Sequence, residues 1–297
     1  MSLSKSMLKL NELLRRFYQD LVVGRSRVRI SAAIEQELEI SPIFIFGVYR
    51  SGTTLLRYIL DSHSKICCPP ESNFIDLLET IVTIERSKEG LAAMGFEEGH
   101  VVNRLRKFCI YFFNSYAKSN DKQRWADKST SYVDHMDFIA RLFPNAKFIT
   151  LHRNPLDQAH SFSRGGTSYE EPFKPFCQNN EDLRIGATRY WAEQTKKIVN
   201  FEKKHPEQTF RLIYEELCHS PKSNLEKLFN FIEEPWEPDV LEFYRFQHDK
   251  GPEHGRVIVT NGFAANTGYY YDWPEALLAK CKEIIEPLAT DLRFFFS

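Results

Sequence analysis

The segment Ile43-Phe44-Ile45-Phe46-Gly47-Val48-Tyr49-Arg50-Ser51-Gly52-Thr53-Thr54-Leu55-Leu56 joins a run of apolar residues to a glycine-bounded, hydroxyl-rich turn. A buried strand, a tight turn and a helix start, in that order, aim several backbone N–H groups and the positive end of a helix at one point. That arrangement suits a phosphate. The Gly47-x-x-x-x-Gly52 spacing is that of a nucleotide P-loop, which continues with a Lys reaching the β- and γ-phosphates and a Ser or Thr on magnesium. Here Thr53 stands where the Lys belongs, and the cation lies inside the loop at Arg50.

A second segment tests the metal. P-loop hydrolases end another strand with an Asp that supports magnesium. In this chain Phe148-Ile149-Thr150-Leu151 runs into His152-Arg153, a cationic end that suits a second anion and is wrong for a metal. Asn154 fits a helix N-cap with Pro155 at the first helical position. Arg153 then stands at the helix entrance, and Ser161 lies about two turns in. Either residue alone reads as a surface arginine or an ordinary helix serine. Together, behind a strand, they read as a second phosphate cradle that needs no magnesium. The alternatives are a P-loop kinase or nucleotide hydrolase, which the missing Lys after Gly52 disfavours, and a non-catalytic nucleotide-binding protein.

The run Tyr49-Arg50-Ser51-Gly52-Thr53-Thr54 resembles the 5′-phosphosulfate loop of sulfotransferases that use 3′-phosphoadenosine 5′-phosphosulfate (PAPS), and Arg153 to Ser161 resembles their 3′-phosphate motif. The branch most similar contains tyrosylprotein and many bacterial sulfotransferases. The resemblance implies that Arg50, Ser51, Gly52, Thr53 and Thr54 bind the phosphosulfate, and that Arg153 and Ser161 bind the 3′-phosphate. It implies that Tyr214, in Leu212-Ile213-Tyr214-Glu215-Glu216-Leu217, contacts adenine. It implies the release of adenosine 3′,5′-bisphosphate and no required metal.

For the chemistry, the resemblance implies Glu71, after the Pro69-Pro70 turn, as general base, and Lys128, at the end of Trp125-Ala126-Asp127-Lys128, as a catalytic cation beside Arg50. The alternative for Glu71 is a helix-capping role, which Ser72 or Asn73 would equally fill. The alternative for Lys128 is a solvent-facing lysine. His63, at the end of the first helix, reads as structural. His254, which aligns loosely with a polar residue near the family's acceptor site, is a candidate assistant, with a solvated loop histidine as its alternative. Arg256 to Asn261 begins a region resembling the loop that closes over the cofactor, although Ala265 to Trp273 lacks the family's later basic residue.

These residues need a scaffold. Ile43–Phe46, Lys147–Leu151 and Thr209–Ile213 are short apolar runs that read as buried parallel strands. Amphipathic segments near Thr53–Leu60, Val133–Leu142, Leu156–Ser163, Ile185–Phe201, Leu225–Ile232 and Glu275–Ile285 alternate with them. The expectation is an α/β fold, a P-loop-like parallel sheet flanked by helices as in sulfotransferases. Gly165–Asp182 and Gln247–Trp273 read as long irregular loops, the second as a lid. With no internal repeat or linker-like tract in 297 residues, one domain over residues 1–297 is expected, with a helical segment at 1–40 packed on it. Its Leu10, Leu13, Leu14 and Phe17 share a helical face.

The composition, 42% hydrophobic with 24 Phe, provides an aromatic-rich core, some of whose rings are candidates for an acceptor pocket. A net charge of -1 gives no field that draws in nucleic acid or anionic membrane. No apolar run is long enough to span a bilayer. The first residues lack a secretory pattern, and six cysteines without Cys-x-x-Cys spacing read as reduced thiols. A cytoplasmic enzyme acting on a small-molecule, sugar or peptide hydroxyl is the expectation.

Overall fold

A computed structural model describes residues 41–164, 172–178, 180–251, 262–265, 267–292 and 294. Strand β1 is Ile43–Gly47, helix α1 Thr53–Asp61, and strand β2 the short Ile66–Cys67. Helices α2 (Ile75–Thr83), α3 (Glu85–Ala93) and α4 (Glu98–Ser119) then lead to β3, Arg124–Lys128. A 3-10 turn at Thr130–Asp134 precedes α5 (Met136–Leu142), β4 (Lys147–His152) and α6 (Pro155–Ser163). The chain closes with α7 (Leu183–Lys204), β5 (Thr209–Ile213), α8 (Tyr214–His219), α9 (Pro221–Phe231), a 3-10 segment at Pro238–Arg245 and α10 (Glu275–Ala289).

The five strands form one sheet in the order β2-β3-β1-β4-β5, and every pairing is parallel. The expected α/β architecture with three parallel strands is present, extended on the β1 side by β3 and β2. Because strand side chains alternate between faces, β1 divides the core. Phe44 and Phe46 enter an aromatic layer with Trp125, Phe148 and Phe201, whereas Ile43 and Ile45 enter an aliphatic layer with Leu55, Ile59 and Leu212. Phe46 and Phe148 stack at 5.5 Å between centroids, and Phe201 meets Phe148 edge-on at 5.0 Å, so this part of the phenylalanine excess is packing.

The helical pattern at Val133–Leu142 resolves into the 3-10 turn and then α5, with His135 breaking the run at φ -124°. The expected helical segment at 1–40 and much of both irregular loops lie outside the described residues. Cys67, Cys68, Cys109, Cys218 and Cys281 are buried free thiols. No helix among the described residues is long and apolar enough to cross a membrane.

Candidate active site

In a sheet whose strand order runs outward from β1 in both directions, ligands bind in the crevice beyond the carboxyl ends of the central strands. The predicted site residues gather at that edge. Gly47 ends β1, Lys128 ends β3, and Arg153 and Tyr214 directly follow β4 and β5.

The loop after β1 turns sharply. Arg50 and Gly52 both have positive φ, 69° and 100°. A Cβ at Gly52 would fall 2.5 Å from the Tyr214 ring, and one at Gly47 would fall 2.7 Å from Ser51 Oγ and 3.0 Å from the Leu151 carbonyl. Both positions lack room for a side chain, and at Gly52 the left-handed backbone adds a second reason for glycine. The Ser51 N–H donates to the Val48 carbonyl at 3.1 Å, closing the turn into α1. Among the described residues no side chain caps α1, and no acid lies in its first turn, which leaves the positive end of the helix facing the loop.

The second motif meets the first directly. Asn154 Oδ1 accepts from the N–H groups of Leu156 and Asp157 at 3.0 and 3.2 Å, the N-cap read from the sequence. That cap seats Arg153, whose Nη1 donates to the Arg50 carbonyl at 2.8 Å and whose guanidinium lies 4.7 Å over the Tyr214 ring. Arg50 Nε in turn donates to Ser161 Oγ at 2.9 Å, across 111 residues of sequence. Two arginines, a serine and a tyrosine from three strand ends thus form one cluster.

The other half of the site lies on the β3 side. Lys128 is 1% exposed, which excludes the solvent-facing alternative. Its ammonium donates to Glu71 Oε1 at 2.5 Å and lies 3.5 Å from Thr54 Oγ1. Lys128 therefore bridges the carboxylate and the phosphate-type loop. Neither Ser72 nor Asn73 caps α2, whose N-cap position is Phe74 with no side-chain bond, so the capping alternative is not what this turn does.

Residues 42–238 match the family profile described as the sulfotransferase family, well over half of the chain. The chain belongs to the sulfotransferase family. An uncharacterised protein of Aquifex aeolicus is 31% identical over 214 residues, which are 69% of this chain and 27% of that protein. A protein-tyrosine sulfotransferase of Drosophila melanogaster is 26% identical over 213 residues, 70% of this chain and 41% of that one. The chain spans less than half the length of these two relatives. The sulfotransferase domain from the curacin biosynthetic pathway has the same fold, with a TM-score of 0.61 at 22% identity, covering 87% of this chain and 99% of that one.

Within this sulfotransferase fold, two supports of the site were not among the predicted residues. Gln158, fully buried, donates through Nε2 to the Tyr49 carbonyl and ties α6 to the first loop. Arg57, fully buried on α1, donates to the carbonyls of Cys68, Pro69 and Asp249 at 3.0, 2.8 and 2.6 Å. It joins the first helix to the turn before Glu71 and to the start of the expected lid. An arginine inside the apolar run Leu55-Leu56-Arg57-Tyr58-Ile59-Leu60 was the available signal, since such a residue is buried only with partners.

His63 is structural, as expected. Its Nδ1 accepts from the Lys65 N–H at 3.2 Å, its Nε2 faces the Pro235 carbonyl at 2.9 Å, and its ring stacks on Phe229. That pairing places the proton on Nε2. His254 lies outside the described residues. Of the expected lid, Ala264 offers its carbonyl to the Tyr214 hydroxyl at 3.3 Å, and Tyr269 donates its N–H to Asp157 Oδ1 at 3.0 Å. Burial pushes the Asp157 carboxyl above the usual range, against the pull of the backbone donors and of Arg153.

Proposed function

We propose that this chain transfers a sulfuryl group from PAPS to the hydroxyl of a small-molecule, sugar or peptide acceptor, in the cytoplasm, by in-line displacement. The observation that carries the reading is the line Glu71–Lys128–Thr54, which joins a carboxylate to the loop after β1 through a buried cation. The residues present suit a phosphosulfate donor. Gly47 and Gly52 leave no room for a Cβ, and the buried Ser51 hydroxyl has no hydrogen-bond partner among the described residues. Arg153 and Ser161 supply the second cradle, for a 3′-phosphate, and Tyr214 the contact with adenine.

In this reading Glu71 removes the acceptor proton as its oxygen attacks sulfur. The bond between sulfur and the bridging oxygen breaks on the opposite side, and adenosine 3′,5′-bisphosphate leaves with the electron pair. Arg50 and Lys128 neutralise charge developing on the sulfuryl and leaving oxygens, in positions fixed before reaction. The cationic end of β4 supports transfer without magnesium. The five buried free thiols support a reducing compartment.

Incubation with radiolabelled PAPS and cell extract should label an acceptor. Glu71→Ala should lower that transfer by about 10²–10⁴-fold and leave binding of adenosine 3′,5′-bisphosphate nearly unchanged. Tight binding of ATP with magnesium, and none of the bisphosphate, would overturn the reading in favour of a P-loop kinase or hydrolase.

A further inference from the structure

The turn that carries Glu71 and the strand end that carries Lys128 are joined at consecutive positions. Glu71 pairs with Lys128, and the next residue, Ser72, donates its hydroxyl to Asp127 Oδ2 at 2.7 Å. Successive strand side chains point to opposite faces, so the turn straddles the end of β3. Lys128 reaches Thr54 in the first turn of α1, whereas Asp127 lies on the aromatic side with Tyr132. Past Ser72, Asn73 takes a positive φ of 48°, and its N–H donates to Ser129 Oγ at 3.3 Å. The left-handed residue turns the chain away once these bonds are made.

Asp127 is an expensive residue for this place. It is fully buried, and burial pushes its carboxyl up to about 6 against the pull of its hydrogen-bond donors. The Lys128 ammonium donates to Glu71 and not to it. Its donors are Ser72 Oγ, Tyr132 OH at 2.6 Å, and the Lys128 backbone N–H at 2.9 Å. Two of those donors belong to Lys128 itself and to the neighbour of Glu71. A buried carboxylate costs stability unless fully hydrogen-bonded, and here its bonds run to the two segments whose relative placement decides the chemistry.

We propose that Asp127 is a positioning residue for the general base, fixing the Glu71 turn through the Ser72 hydroxyl and the Lys128 strand end through its backbone N–H. The inference rests on Glu71 being the base of the proposed reaction. A reacting group displaced by about 1 Å costs on the order of 10²-fold in rate, which sets the scale of what the clamp protects.

The test uses the full chain with Ser72→Ala, Asp127→Asn and the double variant. PAPS is the donor and 4-nitrophenol the surrogate acceptor. Ser72→Ala should lower kcat by about tenfold or more, with the KM for PAPS and the affinity for adenosine 3′,5′-bisphosphate within about twofold of wild type. Ser72→Thr, which keeps the hydroxyl, should restore most of kcat. The double variant should lose no more than the worse single variant, because both break the same link.

Acetylation of Lys128 by acetic anhydride, followed by mass spectrometry, gives a readout independent of turnover. It should rise several-fold in Ser72→Ala, as the Glu71 partner loosens. If Asp127→Asn fails to fold, Ser72→Ala decides alone. Wild-type kcat and wild-type Lys128 acetylation in that variant would overturn the proposal. Absence of transfer by the wild-type chain both to 4-nitrophenol and to any component of cell extract would instead count against the proposed reaction, and the acetylation would then judge the clamp.

Discussion

Arg153 holds several relationships at once. It donates to the Arg50 carbonyl, lies over Tyr214, and stands at the entrance of α6, 7% exposed. A planar guanidinium can hold a backbone acceptor and stack on a ring while presenting further donors; an ammonium cannot. Hydrogen bonds to charged groups are worth about 1.5–3 kcal/mol. Arg153→Ala should therefore weaken adenosine 3′,5′-bisphosphate by about 10–100-fold, and adenosine 5′-monophosphate much less, since only the former carries the 3′ group. Isothermal titration of both nucleotides measures this, and equal losses would argue that Arg153 supports the fold of the loop alone. Arg153→Lys should recover only part of the affinity.

At the scale of elements, α7 is fastened to the sheet beneath the second motif by one carboxylate. Glu202 accepts from Thr150 Oγ1 at 2.6 Å, pairs with His152 at 2.7 Å, and accepts from Arg211 on β5 through Nε at 2.9 Å. Burial alone would raise its pKa, but the hydrogen bond and charge of His152, with the hydrogen bonds from Arg211 and Thr150, bring it down to about 2. A carboxyl depressed in the folded state stabilises above its ordinary pKa, near 4.5, and loses that contribution as pH falls toward 2. Glu202→Gln should cost about 3 kcal/mol at pH 7, and the difference from wild type should shrink by pH 3. Urea unfolding at the two pH values measures it. Asp127 has the opposite sign, because its raised carboxyl makes ionisation unfavourable to the fold above pH 4.

The elements legible in the sequence were those whose burial was uncomplicated. β1, β4 and β5 are apolar runs, and the Asn154–Pro155 cap marks α6 without further help. β3 was recognisable only through its family resemblance, because Arg124, Asp127 and Lys128 fill a strand in which every residue is buried. Arg124 is satisfied by the Ser41 and Ile232 carbonyls and by Glu234, none of them its neighbours in sequence. α4 was obscured differently. Its buried stripe of Val101, Val102, Cys109, Phe113 and Ala117 is helical, but exposed Phe108, Tyr111 and Phe112 spread apolar residues around the axis. The clustering of Arg50, Arg153 and Ser161 was legible because those residues lie in two contiguous motifs, whereas Arg57 and Gln158 act on carbonyls that no motif reveals.

For the molecule as a whole, a bisphosphate nucleotide would bridge segments that follow β1, β4 and β5. Binding to the native state alone adds about 2.7 kcal/mol at a ligand concentration of 100 Kd, or roughly 5 °C in Tm for a chain of this size. Differential scanning calorimetry with adenosine 3′,5′-bisphosphate should show that rise, unchanged by EDTA. A Tm indifferent to the nucleotide would weigh heavily against the proposed donor.

The parallel sheet has a further consequence. Because every strand runs the same way, the candidate site residues gather at one rim of the sheet, and the strand entrances lie at the other. There Gln208 Nε2 closes the gap between the β4 and β5 entrances by donating to the Pro144 and Ala146 carbonyls at 2.7 and 3.1 Å, and Glu207 beside it is exposed. That corner is the natural place to attach a surface tether, a dye or a fused domain. An attachment there would stand a full strand length from the candidate site.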